Sequence, residues 1–259
     1  MVRSGYGPIV FRECAVSERL LEARVDLAAA LRLAARFELH EGIDNHFTYA
    51  LPGLDDRFLL HPYGLHWSEV TASDILMVDQ EGRIVEGEGE VETSAFVIHS
   101  RVHRQHPRAR CVLHTHMPYA TALTAVEQGR LEPINQNSLR FHGDVAYDED
   151  YGGLAHDVDE GDRIAGALGD KRVLFLANHG VIVAGETIAG AFDDLYFLER
   201  ACRLQVLAMA TGRPLKRVSE NLAAHTAAQF RRNNGGPYGQ IHFAALKRKL
   251  DREEPDYAR

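Results

Sequence analysis

Segments typical of strands and segments typical of helices alternate irregularly along this chain. Two strand candidates, residues 46–51 and 56–64, are joined by the turn-like sequence PGLDD, whose last residue begins the second candidate. Residues 75–87 have the pattern of a further hairpin around QEGR. Because the strands are not each followed by a helix, a strictly parallel βαβ arrangement is disfavoured. We therefore expect an α/β protein with a mixed sheet flanked by helices.

Helical periodicity predicts the flanking elements. Apolar residues recur at helical spacing after Ser17, which we interpret as an N-cap, and Gly42 ends this segment. Later segments share the same periodicity and have Gly or Pro near their ends. These helices are expected at residues 93–106, from 118 onward, at 157–169, 186–211 and 219–232, and from 241 onward.

These elements suggest one domain with two appendages. Residues 1–16 are interpreted as an N-terminal arm, residues 17–232 as the domain, and residues 233–259 as a linker followed by a helix. Residues 131–155 show neither periodicity and are expected to be irregular. A chain of 259 residues can bury a large core without a structural metal. A bound metal is therefore expected to be functional.

Composition restricts the classes of partner. The net charge is −8, and the only short basic run is KRKLDR, so nucleic-acid binding is disfavoured. The N-terminus has no apolar signal core, and no stretch approaches the roughly 20 apolar residues of a membrane span. We expect a cytoplasmic protein that acts on a small molecule, without a nucleic-acid or membrane partner.

The sequence His114-Thr115-His116 lies in a run of strand character. Side chains alternate along a strand, so both imidazoles are expected on one face, with Cα atoms roughly 6.5 Å apart. That separation allows both rings to bind one ion. A polar strand face without metal is the alternative interpretation.

His179 supplies a third imidazole. It follows the strand candidate VLFLAN and precedes Gly180, at the sheet edge where α/β folds place their sites. Three histidines with an open fourth position are a common arrangement for catalytic zinc. A structural role is the alternative, since 14 histidines in one chain can cluster by chance. We predict a divalent metal site, with zinc favoured over iron or manganese.

Four stretches around these histidines carry a recognisable pattern. Residues 106–123 (HPRARCVLHTHMPYATAL) and 174–185 (LFLANHGVIVAG) contain the histidine motifs, and residues 42–53 (GIDNHFTYALPG) and 58–64 (FLLHPYG) contain two further motifs. Together they resemble the class II aldolase/adducin family over about residues 24–210. The resemblance implies a three-layer α/β/α fold with a central mixed, mostly antiparallel sheet.

The resemblance also implies a chemistry. His114, His116 and His179 would coordinate a divalent ion that polarises a carbonyl and stabilises an enediolate as a carbon–carbon bond breaks. Members of the family that cleave sugar phosphates are usually tetramers with sites near subunit interfaces. A homo-oligomer is therefore expected, and a tetramer is favoured.

Several positions depart from the pattern of the sugar-phosphate aldolases. The Glu that binds metal or transfers a proton in those members corresponds to Ala95, which cannot transfer a proton. Tyr63 precedes Gly64 where the family has a small hydroxyl residue, and Asp44 precedes Asn45 where it has glycine. These changes favour an unphosphorylated substrate that carries a carbonyl or carboxylate group.

The remaining polar residues of the motifs are candidates for binding the substrate. Asn45, Tyr63, Gly64, Thr93 and Ser94 could still hold an anion. Ser94 is expected near a helix N-terminus, where donors and a favourable dipole attract negative charge. Its alternative role is that of a plain N-cap.

His46 and Glu92 are the candidates for proton transfer. An imidazole has a pKa close to neutrality, and Glu92 could replace the carboxylate lost at Ala95. A buried structural histidine and a solvated turn glutamate are the respective alternatives.

Two classes of function follow. The first is a metal-dependent carbon–carbon lyase of aldolase or decarboxylase type, with an iron-dependent oxygenase as a variant on the same scaffold. Decarboxylation is preferred because loss of carbon dioxide needs no base to begin. The second is a non-catalytic assembly module of the adducin type, which retention of three histidines argues against.

Overall fold

The computed structural model describes residues 9–54, 56–155, 157–234 and 238–259. These ranges contain an eight-stranded sheet. Its strands, in chain order, are β1 (His46–Tyr49), β2 (Arg57–Leu60), β3 (Leu76–Asp79), β4 (Ile84–Glu86), β5 (Cys111–Thr115), β6 (Val145–Asp148), β7 (Val173–Leu176) and β8 (Gly180–Gly185). Their order across the sheet is β4-β3-β2-β1-β5-β8-β7-β6.

All neighbouring strands are antiparallel except β6 and β7, which are parallel. The predicted hairpin around QEGR is confirmed, because β3 pairs with β4. The sheet is therefore mixed and mostly antiparallel, as the resemblance implied.

Helices cover both faces of the sheet. They are α1 (Ile9–Arg36), α2 (Thr93–Gln105), α3 (Pro118–Thr124), α4 (Gln136–Leu139), α5 (Val158–Leu168), α6 (Ile188–Met209), α7 (Glu220–Asn234) and α8 (Tyr238–Glu253), followed by a 3-10 turn (Pro255–Ala258). Among the described helices, none combines the length and the apolar character that a membrane crossing requires.

Alternation along the central strands separates two apolar layers. Leu113 of β5 and Val183 of β8 pack in a large core with residues of α1, α6 and α8. Val112 and Ile182, their neighbours in the chain, pack on the other face with residues of α2 and α5. Because neighbouring strand residues point to opposite faces, this arrangement gives the three layers, helices, sheet and helices, expected of the fold.

The first helix starts earlier than predicted. It begins at Ile9 and ends at Arg36, so Ser17 is not its N-cap and Gly42 lies beyond its end. The sequence after Pro8 has no Gly or Pro before Arg36, which lets the helix continue through residues 9–16. Those residues are helical rather than an irregular arm, and residues 1–8 of the expected arm lie outside the described residues.

Two other segments differ from the prediction. Residues 131–155 are not wholly irregular, because they contain α4 and the edge strand β6. The linker expected from residue 233 is shorter, since α7 extends to Asn234 and α8 begins at Tyr238, and residues 235–237 lie outside the described ranges. The predicted last helix is confirmed, and its Phe243 and Leu250 are buried in the large core.

The pairing register of the central strands determines where the candidate site lies. His46 of β1 lies opposite His114 of β5, and Thr115 lies opposite Val181 of β8. The residues just beyond these pairs therefore meet at one end of the central strands.

Candidate metal centre

Three imidazoles lie together at this end of the sheet. His114 is in β5, His116 follows the end of that strand, and His179 immediately precedes β8. One nitrogen from each ring lies within 4.8 Å of the others, and the ring centroids are 4.8 to 5.0 Å apart. In the part of the chain that the structure describes, this is the only group of three or more potential ligands so placed.

A tight hairpin positions His179. Residues 177–179 connect β7 to β8, and Leu176 at the end of β7 is paired with Gly180 at the start of β8. Asn178 adopts a φ of 55°, a left-handed conformation that asparagine tolerates better than most residues. Its backbone N–H donates to the Thr124 carbonyl at 3.0 Å, which ties the hairpin to α3. His179 is thereby held on a rigid connection next to β5.

Gly180 allows β8 to start against the other two ligands. A Cβ at this position would lie 2.5 Å from the Thr115 carbonyl oxygen and 2.8 Å from Cδ2 of His116. Both distances are far below van der Waals contact, so any larger residue would displace the strand. The glycine of the NHG motif thus has a steric role in bringing His179 to the other imidazoles.

The hydrogen bonds of two rings leave their Nε2 atoms for an ion. Nδ1 of His114 donates to the Val181 carbonyl at 3.0 Å, and Nδ1 of His116 donates to Oε2 of Glu41 at 2.7 Å. Such contacts commonly fix the tautomer of a metal-binding histidine. Nε2 of His116 is buried and has no hydrogen-bond partner among the described residues, as expected of an atom that binds metal. The residues present therefore fit a divalent ion.

Burial keeps these rings neutral. It lowers the pKa of His114 well below its usual value, with nearby histidines adding to the effect. It also lowers the pKa of His179 to about 4. A neutral imidazole offers the unshared pair that a metal requires, so both residues are ready to bind one at pH 7.

Asn45 supports the same region from the segment before β1. Its Oδ1 accepts hydrogen bonds from the backbone N–H groups of Glu41, at 2.8 Å, and of His116, at 3.2 Å. Its Nδ2 is buried and makes no hydrogen bond to any described residue. Asn45 therefore orients a candidate ligand and retains a donor for another group.

The two predicted proton carriers also lie close together. The His46 ring stacks on His114 with centroids 4.9 Å apart, and its Nε2 is 3.7 Å from Oε2 of Glu92. Burial, followed by the neighbouring histidines, lowers the pKa of His46 well below its usual value. Both residues thus stand beside the candidate metal ligands.

Glu92, rather than Ser94, is the N-cap of α2. Its Oε2 accepts from the Ala95 N–H and from the Ser94 hydroxyl, each at 2.6 Å. The alternative of Ser94 as an N-cap is therefore wrong, and its hydroxyl instead holds the Glu92 carboxylate. Ala95 is buried in an apolar cluster and offers no polar group.

The other predicted substrate residues lie on the loops next to this N-cap. Tyr63 and Gly64 are exposed after β2, and Gly64 has a φ of 93°. The Tyr63 N–H donates to the Glu90 carbonyl at 2.9 Å, which joins this loop to the segment that leads into Glu92. Thr93 is exposed in the first turn of α2. Their contact with a substrate stays a prediction.

Residues that sequence reasoning missed complete the site. Glu41 binds the ring of one candidate ligand, and His99 of α2 is fully buried with its Nε2 3.0 Å from Nδ1 of His46. Glu41 lies in an irregular turn, where an acidic residue gives no distinguishing signal. The sequence shows that His99 is on the apolar face of a helix, but not which strand that face covers.

Comparison with known proteins shows the family of this chain. Residues 25–206 match the model of the class II aldolase and adducin N-terminal domain. The chain belongs to this family. It is 39% identical over 249 residues to a protein of Caulobacter vibrioides that is provisionally named as a class 2 aldolase, with 94% of each chain covered.

Two further relatives are a decarboxylase and an adducin. The chain is 32% identical to the decarboxylase NovR of Streptomyces niveus, over 95% of this chain and 93% of the relative. It is 35% identical to mouse alpha-adducin, with 90% of this chain but only 33% of the adducin covered. The chain thus spans about a third of that adducin.

Solved structures share the fold over almost the whole chain. An aldolase II superfamily protein from Pseudomonas syringae has a TM-score of 0.87 at 37% identity, covering 95% of this chain and all of that one. The L-fuculose 1-phosphate aldolase of Glaciozyma antarctica has a TM-score of 0.82 at 26% identity, covering 99% of this chain and 96% of that one. The predicted family and fold class are therefore confirmed.

Proposed function

We propose that this chain is a metal-dependent carbon–carbon lyase that acts on a small, unphosphorylated substrate with a carbonyl or carboxylate group. The observation that carries the proposal is the group of three imidazoles, with ring nitrogens within 4.8 Å of one another and Nδ1 of two rings already engaged. Membership in the class II aldolase and adducin family supports it.

The three histidines would hold a divalent ion, for which zinc is favoured and iron or manganese are alternatives. Nε2 of His114 and of His116 would bind it, together with a nitrogen of His179. When bound, such an ion is a Lewis acid that polarises an oxygen and stabilises negative charge that develops on it. Because the ligands are neutral imidazoles, the protein does not offset the charge of the ion.

Decarboxylation suits the surrounding side chains better than aldol cleavage. Loss of carbon dioxide breaks the carbon–carbon bond and leaves an electron pair on carbon, so it needs only a proton donor afterwards. Retro-aldol cleavage must first remove a hydroxyl proton, and Ala95 offers no base. A water molecule that donates hydrogen bonds to His46 and Glu92 would protonate the product carbon, and the hydroxide that remains would be neutralised by the solvent. The 32% identity to a decarboxylase over nearly both chains supports this preference.

The substrate would bind between the ligands and the N-cap of α2. Nδ2 of Asn45, which has no hydrogen-bond partner in the described ranges, would donate to a carboxylate or carbonyl oxygen. Tyr63, Gly64, Thr93 and Ser94 would border the same space and select its shape. The family relationship also supports a homo-oligomer, with a tetramer favoured, and light scattering of the purified protein would measure its mass.

Phosphorylated sugars are expected to be poor substrates. Asp44 is exposed next to Asn45, where a second negative charge would be repelled, and Tyr63 is bulky where a phosphate needs a small hydroxyl. We expect slow cleavage of fuculose 1-phosphate and ribulose phosphates compared with unphosphorylated acids. Rapid aldol cleavage of either sugar phosphate would contradict this assignment.

The central experiment compares product release by metal-loaded protein. Zinc, iron and manganese forms would be incubated with keto acids, aldols and hydroxy-aromatic acids, with and without oxygen. Carbon dioxide release without an oxygen requirement supports the decarboxylase. Aldehyde without carbon dioxide indicates an aldolase, strict dependence on iron and oxygen indicates an oxygenase, and no bound metal or turnover indicates an adducin-like module.

Single histidine variants test the metal site itself. His114→Ala, His116→Ala and His179→Ala should each lose most bound zinc while thermal unfolding remains cooperative. His225→Ala, which removes an exposed histidine of α7, is the matched control and should bind zinc as the unaltered protein does. Stoichiometric zinc in a variant that lacks all three candidate ligands would show that the assignment is wrong.

A further inference from the structure

A row of hydrogen-bonded side chains extends from His46 away from the candidate ligands. Thr48 is two residues along β1, and therefore on the same face of the strand. His99 and His103 are four residues apart on α2, and therefore on one face of that helix. We call His99, Thr48 and His103, with the carbonyl of Ala109, the α2 hydrogen-bond chain.

The contacts along this chain are short and continuous. Nδ1 of His46 is 3.0 Å from Nε2 of His99, and Nδ1 of His99 is 2.6 Å from the Thr48 hydroxyl. The same hydroxyl is 2.8 Å from Nε2 of His103, whose Nδ1 is 2.7 Å from the Ala109 carbonyl oxygen. Thr48 and His99 are completely buried, so water does not compete with them.

The carbonyl at the far end determines the direction of every hydrogen bond. A carbonyl oxygen can only accept, so His103 must donate to Ala109 through Nδ1–H. Burial lowers the pKa of His103 to about 4, so the ring is neutral at pH 7 and its Nε2 can only accept. The Thr48 hydroxyl therefore donates its single proton to His103.

The same reasoning continues toward the site. Because the Thr48 proton is already committed, its oxygen accepts from Nδ1–H of His99. Burial, followed by the neighbouring His46, lowers the pKa of His99 well below its usual value, so this ring is also neutral. Its Nε2 must then accept, and the remaining donor is Nδ1–H of His46.

We propose that the α2 hydrogen-bond chain is a positioning device that fixes His46 as the tautomer with its proton on Nδ1. Nε2 of His46, 3.7 Å from Oε2 of Glu92, then carries an unshared electron pair. The opposite tautomer would place an N–H there and direct it at the carboxylate. The α2 hydrogen-bond chain thus prevents His46 from donating a hydrogen bond to Glu92.

This arrangement defines what can bind beside His46. Two acceptor atoms, Nε2 of His46 and Oε2 of Glu92, lie near each other, so a group that donates a hydrogen bond is favoured between them. A substrate hydroxyl, an enol or a water molecule has that character, whereas a bare carboxylate does not. This part of the inference rests on the proposed function, because it assigns His46 to the reaction site.

The tautomer can be measured without a substrate. Zinc-loaded protein labelled with nitrogen-15 in histidine would be studied by magic-angle-spinning NMR, in which protonated and unprotonated ring nitrogens have well-separated shifts. A His46→Asn sample identifies the His46 signals by difference. We expect a protonated Nδ1 and an unprotonated Nε2 for His46. The reverse pattern in the unaltered protein would overturn the proposal.

Variants of Thr48 test whether the α2 hydrogen-bond chain determines the tautomer of His46. Thr48→Val keeps the side-chain shape but removes the hydroxyl, so His99 loses its acceptor and His46 should become a mixture of tautomers. Thr48→Ser should restore the original pattern. Ser100→Ala removes a hydroxyl whose hydrogen bond among the described residues goes to the Val97 carbonyl of the same helix, and it should change nothing at His46.

The outcomes separate this inference from the proposed function. An unchanged His46 spectrum in Thr48→Val would refute the positioning role. If that variant does not fold, the spectrum of the unaltered protein still decides the tautomer. A correct tautomer in a protein that releases no carbon dioxide would leave the inference in place and reject the decarboxylase.

Discussion

Replacing Glu41 by Ala tests how strongly the residues around the three histidines affect metal affinity. Glu41 accepts Nδ1–H of His116 at 2.7 Å, which leaves Nε2 for the ion and raises its basicity. Loss of such a contact typically weakens metal binding about 10- to 100-fold. The Glu41 side chain is 65% exposed, so solvent weakens the pair. We therefore expect a loss at the lower end of this range, about tenfold in zinc affinity or ~1.4 kcal/mol in binding free energy.

Competition with a chromophoric chelator at pH 7 would measure the zinc affinity of the variant. Glu41→Gln keeps an oxygen that can accept from His116, so its loss should be smaller than that of Glu41→Ala. Glu22→Ala removes the same charge from an exposed position on α1 and should leave the affinity unchanged. Equal affinities for Glu41→Ala and the unaltered protein, or equal losses in both alanine variants, would refute the role of the contact.

Two further predictions concern strand packing and pH. Gly180→Ala places a Cβ 2.8 Å from Cδ2 of His116 and should abolish tight zinc binding, whereas Gly166→Ala, in open space on α5, should retain it. His61 accepts from the indole N–H of Trp67 at 3.1 Å, and burial lowers its pKa from 6.5 to about 4. As the pH falls below 6.5, His61 is protonated in the unfolded state before it is protonated in the folded state. The contribution of His61 to the free energy of unfolding is therefore complete above pH 6.5 and falls by ~3 kcal/mol at pH 4. Denaturant titrations followed by fluorescence of Trp67, the single tryptophan, should show this loss, and His61→Gln should reduce it.

The central strands were predictable because buried strands leave continuous apolar sequence. The runs that became β5, β7 and β8 were recognised for this reason. The edge strand β6 was not, because Val145, Ala146 and Tyr147 are only partly buried and mix with polar neighbours. The start of α1 was misplaced because Ser17 has the chemistry of an N-cap but lies within a longer helix.

The parts of the candidate site that could be predicted are those that stand in recognisable sequence motifs. His114 and His116 share a motif, and the short hairpin before Gly180 explains the position of His179. The hydrogen bond between Thr48 of β1 and His99 of α2 joins residues 51 positions apart, and it depends on how the helix face packs on the strand. No local pattern specifies that packing, so Thr48 and His103 could not be assigned a role in advance.

The candidate metal ligands and the candidate proton carriers come from different parts of the chain. Strands β1 to β4 form one half of the sheet and β5 to β8 the other, and the pairing of β1 with β5 joins them. The three candidate ligands come from the second half, whereas Glu41, His46 and Glu92 come from the sequence before it. Mutations of His46 or Glu92 can therefore alter reactivity while metal binding persists, whereas Glu41 contributes to the affinity through His116. In evolutionary terms, a descendant can acquire a new reaction by stepwise substitution without passing through a metal-free intermediate.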